Sequence, residues 1–126
     1  MPLALALLLS LSLGLTRADS YCEQATATAR LACIPGEMIT AINFASFGSP
    51  AGACGAYRAT ACSSPTALSK IAAACIGLEA CTISLNTTAF PVNATACAGV
   101  TSLSLSAQYT CGARQHELCC LSHSTS

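Results

Sequence analysis

The chain has no tryptophan, three phenylalanines, three tyrosines and two methionines, so no large aromatic core is available to it. Charge is equally scarce. Five Lys and Arg balance five Asp and Glu, and no basic run matches a phosphate backbone. Nucleic acid and anionic lipid are thereby excluded as partners, and a neutral ligand fits better. The only histidines, His116 and His123, lie near the C-terminal end. A Ser-His or Cys-His nucleophile therefore has no base in the body of the chain, and no motif pairs the acidic residues. The expectation is a protein that is not an enzyme and holds no cofactor.

What the chain has in abundance is cysteine, ten residues in 126. Thiols at this density persist as bridges in an oxidising compartment, which points to a small secreted, extracellular domain. The start of the chain agrees. An apolar run from Leu3 to Leu15 precedes Thr16-Arg17-Ala18, with small residues where a signal peptidase cuts. The run is roughly 13 residues, too short for the about 20 of a membrane span, so a signal peptide over residues 1–18 is expected and no membrane insertion after its removal. About 108 residues then remain, one domain in length, in which disulfides worth about 2 to 4 kcal/mol each decide whether the chain folds.

No internal repeat or long linker divides the remainder, so it reads as a domain over 19–111 and a polar tail over 112–126. Ala29 to Cys33 and Met38 to Phe47 have strand patterns. In the second, Met38, Ile42 and Phe44 are expected on one face and Ile39 and Ala41 on the other, as in a central strand. Gly48-Ser49-Pro50-Ala51-Gly52 ends it, because Pro50 cannot donate to a ladder. Ser64-Pro65 predicts a helix start, with serine at the N-cap and proline at the first helical position. Leu68, Ile71, Ala72 and Cys75 follow at helical spacing and predict a core-facing stripe, with Gly77 as the C-terminal cap. Cys81 to Leu85 predicts another strand. The clearest strand is the last, where Leu103, Leu105, Ala107, Tyr109 and Cys111 alternate with Ser102, Ser104, Ser106, Gln108 and Thr110.

Cys22-Glu23, Leu31-Ala32-Cys33, Ile42-Asn43-Phe44-Ala45-Ser46-Phe47-Gly48, Cys54-Gly55, Cys62, Cys75-Ile76-Gly77 through Cys81, Cys97 and Tyr109-Thr110-Cys111 together resemble the SUEL-type lectin domain. This galactose- and rhamnose-binding family occurs in fish and sea-urchin eggs, on latrophilins and at the C-terminus of plant β-galactosidases. Phe44 to Gly55 is most similar to the plant form. The resemblance implies a small disulfide-rich α/β (α+β) domain of antiparallel strands with short helices, whose partners are cell-surface or extracellular glycans. It also implies the bridges Cys22 with Cys54, Cys33 with Cys111, Cys62 with Cys97, and Cys75 with Cys81. Sequence alone leaves on the order of a hundred pairings of eight cysteines open.

In members that bind rhamnose or galactose, a glutamate after the first cysteine takes sugar hydroxyls, and Glu23 occupies that place. The family's Tyr-Gly-Arg turn is here Phe47-Gly48-Ser49, which keeps an aromatic and loses the hydroxyl and the guanidinium. Asn86 stands for the asparagine after the sixth cysteine. Thr95-Ala96 precede Cys97 where the family has an aspartate, and Ser102 or Leu103 stands where a lysine is expected. The implied sugar-binding set is thus Glu23, Phe47 and Asn86. Each charge-assisted hydrogen bond lost is worth about 1.5 to 3 kcal/mol, against about 4 kcal/mol in total for a millimolar ligand. A scaffold that has given up sugar for an extracellular protein-interaction, matrix or cell-wall role is therefore the alternative. Asn86-Thr87-Thr88 and Asn93-Ala94-Thr95 are N-glycosylation sequons, and a glycan on Asn86 would end its ligand role.

Cys119 and Cys120 fall outside the set of eight. With His116 and His123 they have metal-ligand types, but their spacing is wrong for a short zinc finger, and no metal is expected. A surplus pair more often bridges chains, which suggests a disulfide-linked dimer through Cys119 or Cys120. A lipid-transfer protein would need adjacent cysteines mid-chain and a Cys-x-Cys, neither of which lies within the framework.

Overall fold

The structure, a computed structural model, describes residues 19–113. The leader and the tail residues His116, Cys119, Cys120 and His123 lie outside the described residues. In chain order the elements are β1 (Asp19–Ala25), β2 (Thr28–Ala32), β3 (Glu37–Gly48), helix α1 (Ala67–Cys75), β4 (Ala80–Ser84) and β5 (Ser104–Ala113). They make two antiparallel sheets, one of three strands in the order β1-β5-β3 and one of the pair β2-β4. The result is a small disulfide-rich α+β domain with one helix among the described residues. That helix is too short to cross a membrane.

The period-two pattern of the last strand is realised in β5, where Leu105, Ala107, Tyr109 and Cys111 are all buried. Its centre position follows from pairing on both sides. β1 runs along it from Asp19↔Cys111 to Ala25↔Leu105, a strand whose polar composition disguises it in the sequence. β3 lies on the other side and is therefore an edge strand of this sheet, not the central strand its two apolar faces suggested.

Two register shifts in β3, at Ile39/Ala41 and Ile42/Phe44, explain the discrepancy. Each adds a residue and so reverses the alternation that follows. Ile39, Ile42, Ala45 and Phe47 consequently oppose Cys111, Tyr109, Ala107 and Leu105 on the core face. Met38, Ala41 and Phe44 oppose Gly112, Thr110 and Gln108 on the outer face. Ile42 thus leaves the expected company of Met38 and Phe44. The outer face is apolar in part because it too is covered. The Cys22–Cys54 bridge and the Phe44–Tyr57 ring pair, 5.7 Å between centroids, draw the segment following β3 across it.

The helix begins at Ala67 with Thr66 as N-cap and no side-chain cap, two residues after the expected start at Pro65. The Ser64 hydroxyl lies 3.3 Å from that of Thr66 and so is not the expected side-chain cap, while its amide donates to the carbonyl of Phe47 at 2.8 Å, extending the edge of β3. The buried stripe is Ala67, Ile71 and Cys75, while Leu68 is 46% exposed. Cys75 is held to Cys81 on β4, which sets the rotation of the helix, and residues four and eight positions back then face inward. Gly77 follows the C-cap with φ of 95° and ends the helix as expected.

Between the sheets, Ala29 and Leu31 of β2 and Cys81 and Ile83 of β4 meet the inner face of β5 and β3, with Ile71, Cys75 and Phe90 filling one side. The bridges are Cys22–Cys54, Cys33–Cys111, Cys62–Cys97 and Cys75–Cys81, the pairs that the family resemblance implies. Their Cα separations of 4.6 to 5.9 Å are ordinary for disulfides.

At the end of β3, Gly48 passes directly beneath the loop. A Cβ there would sit 2.1 Å from the carbonyl oxygen of Cys62, in a backbone already at φ of 152°. The contact cannot be relieved by a side-chain rotation, since both groups are backbone. Gly48→Ala is expected to lose about 2 to 4 kcal/mol of stability, read as a lowered denaturation midpoint under oxidising conditions.

Candidate functional site

Alternation along β1 turns Tyr21, Glu23 and Ala25 inward, opposite Tyr109, Ala107 and Leu105, and Ser20, Cys22 and Gln24 outward. Glu23 therefore reaches toward β2. Its Oε2 accepts the amide of Arg30 at 3.0 Å. One step along, the Tyr109 hydroxyl accepts the amide of Ala32 and donates to the carbonyl of the same residue, both at 3.0 Å. These amides lie on the edge of β2 that faces away from β4. Side chains of the larger sheet thus satisfy backbone groups of the smaller one.

Phe47 is 2% exposed and packs on Phe90, 5.7 Å between ring centroids. A ring so enclosed offers no face to a ligand, so it serves packing where the resemblance implies a sugar contact. Asn86 is exposed, and its Oδ1 accepts the amide of Ala89 at 2.8 Å, closing the turn that positions Phe90. Lys70 of α1 joins the same turn, with Nζ donating to the Ala89 carbonyl and lying 5.7 Å over the Phe90 ring. Asn93 is exposed and closes a second turn, its Oδ1 accepting from Thr95 and Ala96 just before Cys97. In both asparagines the oxygen is the engaged atom.

The structure links Phe47 with Asn86 through Phe90 and separates both from Glu23, which is tied at Arg30. Asn86 lies beyond the far end of β2, past the Thr28↔Ser84 pair and the hydrogen bond from Leu85 to Ala27. At that end the turn after β1 and the start of β5 form an open groove of about 410 Å³, lined by Gln24, Ala25, Thr26, Ser104, Leu105 and Ser106. None of these was expected at a site. The signal was present in the alternation that marked Ser104 and Ser106 as a polar face, but alternation does not say what lies beside it.

No cluster of three or more His, Cys, Asp or Glu suited to a metal ion occurs among the described residues. At the opposite end of the sheet, partial burial together with the Asp19 and Glu37 carboxylates holds the Tyr21 phenol above its ordinary pKa.

The fold and the bridging define a small disulfide-framed α+β domain. A family model described as the D-galactoside/L-rhamnose binding SUEL lectin domain matches residues 31–111, and the chain belongs to that family. It is similar to beta-galactosidase 3 of Oryza sativa subsp. japonica, with 36% identity over 60% of this chain and 9% of that protein. It is also similar to beta-galactosidase 6 of the same rice, with 41% identity over 52% of this chain and 7% of that protein. For beta-galactosidase 8 of Arabidopsis thaliana the figures are 42% identity over 45% of this chain and 7% of that protein. The chain thus spans less than a tenth of the length of these relatives, and the likeness is confined to a sugar-binding type of domain.

Tyr109→Phe leaves the Ala32 amide and carbonyl unpaired at a half-buried edge and is expected to cost about 1 to 3 kcal/mol. Glu23→Ala, whose hydrogen bond is exposed, should cost about 1 kcal/mol or less, and denaturant titration of both variants measures the difference.

A second expectation concerns pH. A phenol whose pKa is raised on folding contributes stability that is complete below the unfolded value of 10.0 and is lost as pH rises through the folded value. The alkaline fall in thermal stability is therefore expected to be shallower in Tyr21→Phe than in the wild type, as melting curves on either side of that pH would show.

Proposed function

We propose that this chain is a secreted, non-catalytic carbohydrate-binding module for galactose- or rhamnose-type sugars. The observation that carries the reading is the family match over residues 31–111, which spans seven of the eight framework cysteines. The sparse charge supports a neutral ligand. Glu23 is the proposed sugar contact on the inner side of β1. One of its carboxylate oxygens is already oriented by Arg30, and the other provides the acceptor for a sugar hydroxyl.

The proposed secretion is supported by the apolar leader expected over residues 1–18 and by four bridges of a kind that persists in an oxidising compartment. Asn86 and Asn93 are the proposed N-glycan sites, and a glycan at Asn86 would remove it from sugar contact. With eight cysteines engaged within the chain, Cys119 and Cys120 are the pair left for another use. We propose a disulfide-linked dimer through one of them, which would double the number of sites presented.

A glycan array with oxidised protein tests the main reading, followed by titration of galactose and rhamnose against wild type and Glu23→Ala. Binding that weakens about tenfold or more in the variant is the expected outcome. Complete absence of glycan signal from correctly oxidised protein would instead favour the protein-interaction alternative. Migration at monomer mass on a non-reducing gel, unchanged by reduction, would eliminate the dimer.

A further inference from the structure

We infer that the C-terminal tail docks in cis on its own domain, with Leu118 and Leu121 covering an exposed apolar patch formed by Ile34, Ile76 and Leu78.

The patch stands where the turn after β2 meets the turn before β4. Beyond the Ala32↔Ala80 pair, the Cys33 amide donates to the Glu79 carbonyl at 2.8 Å, which continues the β2-β4 register and brings Ile34 opposite Leu78. Both turns are fastened to their surroundings. The Ile39 amide donates to the Leu78 carbonyl and the Gly77 amide to the Ile39 carbonyl, each at 2.8 Å, and the Gly36 amide donates to the Glu79 carboxylate at 3.1 Å. Ile34, Ile76 and Leu78 are held in this frame at 53, 47 and 48% exposure. Aliphatic residues exposed singly need no explanation. Here three of the four large apolar residues exposed among the described ones share one junction, and the fourth, Leu68, lies two four-residue steps before Ile76 along α1.

The chain's own tail is within reach of this junction. β5 ends at Ala113 directly opposite Glu37, and the Glu37 amide donates to the Ile34 carbonyl at 3.1 Å. Residues 114–126 therefore leave the domain beside the patch. Leu118 follows Ala113 at a distance of at most about 17 Å along an extended chain, and Leu121 repeats the apolar type three residues later. The charges agree. A carboxylate oxygen of Glu37 is buried with no hydrogen-bond partner among the described residues, and Arg114, a cation, comes directly after its cross-strand partner Ala113.

The area is too small to hold a separate partner. A patch of a few side chains, on the order of a few hundred Å², falls well short of the about 800 Å² per partner of a stable interface. A segment joined to the same chain meets the patch at an effective concentration on the order of millimolar, so docking too weak to persist in trans is populated in cis. Cys119 and Cys120 lie between the two leucines. Docking holds them at the Ala113 end of β5, remote from the groove at its Ser104 end.

The test is amide-resolved NMR of the oxidised chain carrying Cys119→Ser and Cys120→Ser, which removes any covalent dimer. Adding Leu118→Ser and Leu121→Ser is expected to weaken docking by about tenfold or more and to shift the amides of Ile34, Gly36, Gly77 and Leu78, independently of protein concentration. Leu78→Ser, at an exposed position, removes the patch from the other side, and in that background the leucine changes should no longer move these amides. Patch amides that stay in place when the leucines are removed, or move equally with and without Leu78→Ser, overturn the proposal. Isotope-labelled chains lacking the leucines whose shifts return on mixing with unlabelled chains that have them also overturn it, because the occupant is then a second copy. No sugar is present, so each of these outcomes leaves the carbohydrate reading where it stands.

Discussion

A two-stranded sheet does not stand in water unaided, and the pair β2-β4 depends on the hydrogen bonds that its outer edge receives from the larger sheet. Tyr109 satisfies both backbone groups of Ala32, and Glu23 satisfies the amide of Arg30. The Cys33–Cys111 bridge closes the same junction covalently, linking the end of β2 to the central strand β5. Spanning 78 residues, it removes about 4.5 kcal/mol of loop entropy from the unfolded chain, against about 2 kcal/mol for the short Cys75–Cys81 loop. Leu31, in the same strand, is fully buried. The core between the sheets exists because this edge is held.

The same junction shapes the proposed sugar site. Glu23 is the residue most readily assigned to a sugar, and it already has a structural duty at Arg30. A carboxylate oriented in this way loses little freedom when a ligand hydroxyl arrives, which favours binding through preorganisation. Phe47 shows the opposite allocation. Its ring is committed to Phe90, and the Asn86 turn and Lys70 hold Phe90 from the other side.

Much of the architecture was legible because its signals are local. Alternation from Leu103 to Cys111 revealed β5, and the turn-rich stretch after Phe47 marked the end of β3. The spacing of Ile71 and Cys75 revealed a helix. What failed was what local pattern cannot contain. The two bulges in β3 moved Ile42 to the other face, and a cover on the outer face made an edge strand look central. The Ser64 hydroxyl pairs with that of Thr66 instead of capping, and the helix starts at Ala67. Leu68 lost its expected burial because the Cys75–Cys81 bridge set the helix rotation. β1 escaped notice because Asp19-Ser20-Tyr21-Cys22-Glu23-Gln24 is polar, and its strand conformation comes from pairing with β5 rather than from its own propensity.

The sequence by itself determined the family, the sparse and balanced charge, and the residue types available for binding. These follow from composition and short-range order. Only the tertiary structure decided which of those residues can meet a ligand. Phe47 and Glu23 look equivalent as candidates in the chain, yet one is enclosed by packing and the other lies at a strand edge. Gln24, Thr26, Ser104 and Ser106 are unremarkable until antiparallel pairing sets them around one groove. Burial and register are properties of contacts between distant segments, and no local pattern in the chain specifies them.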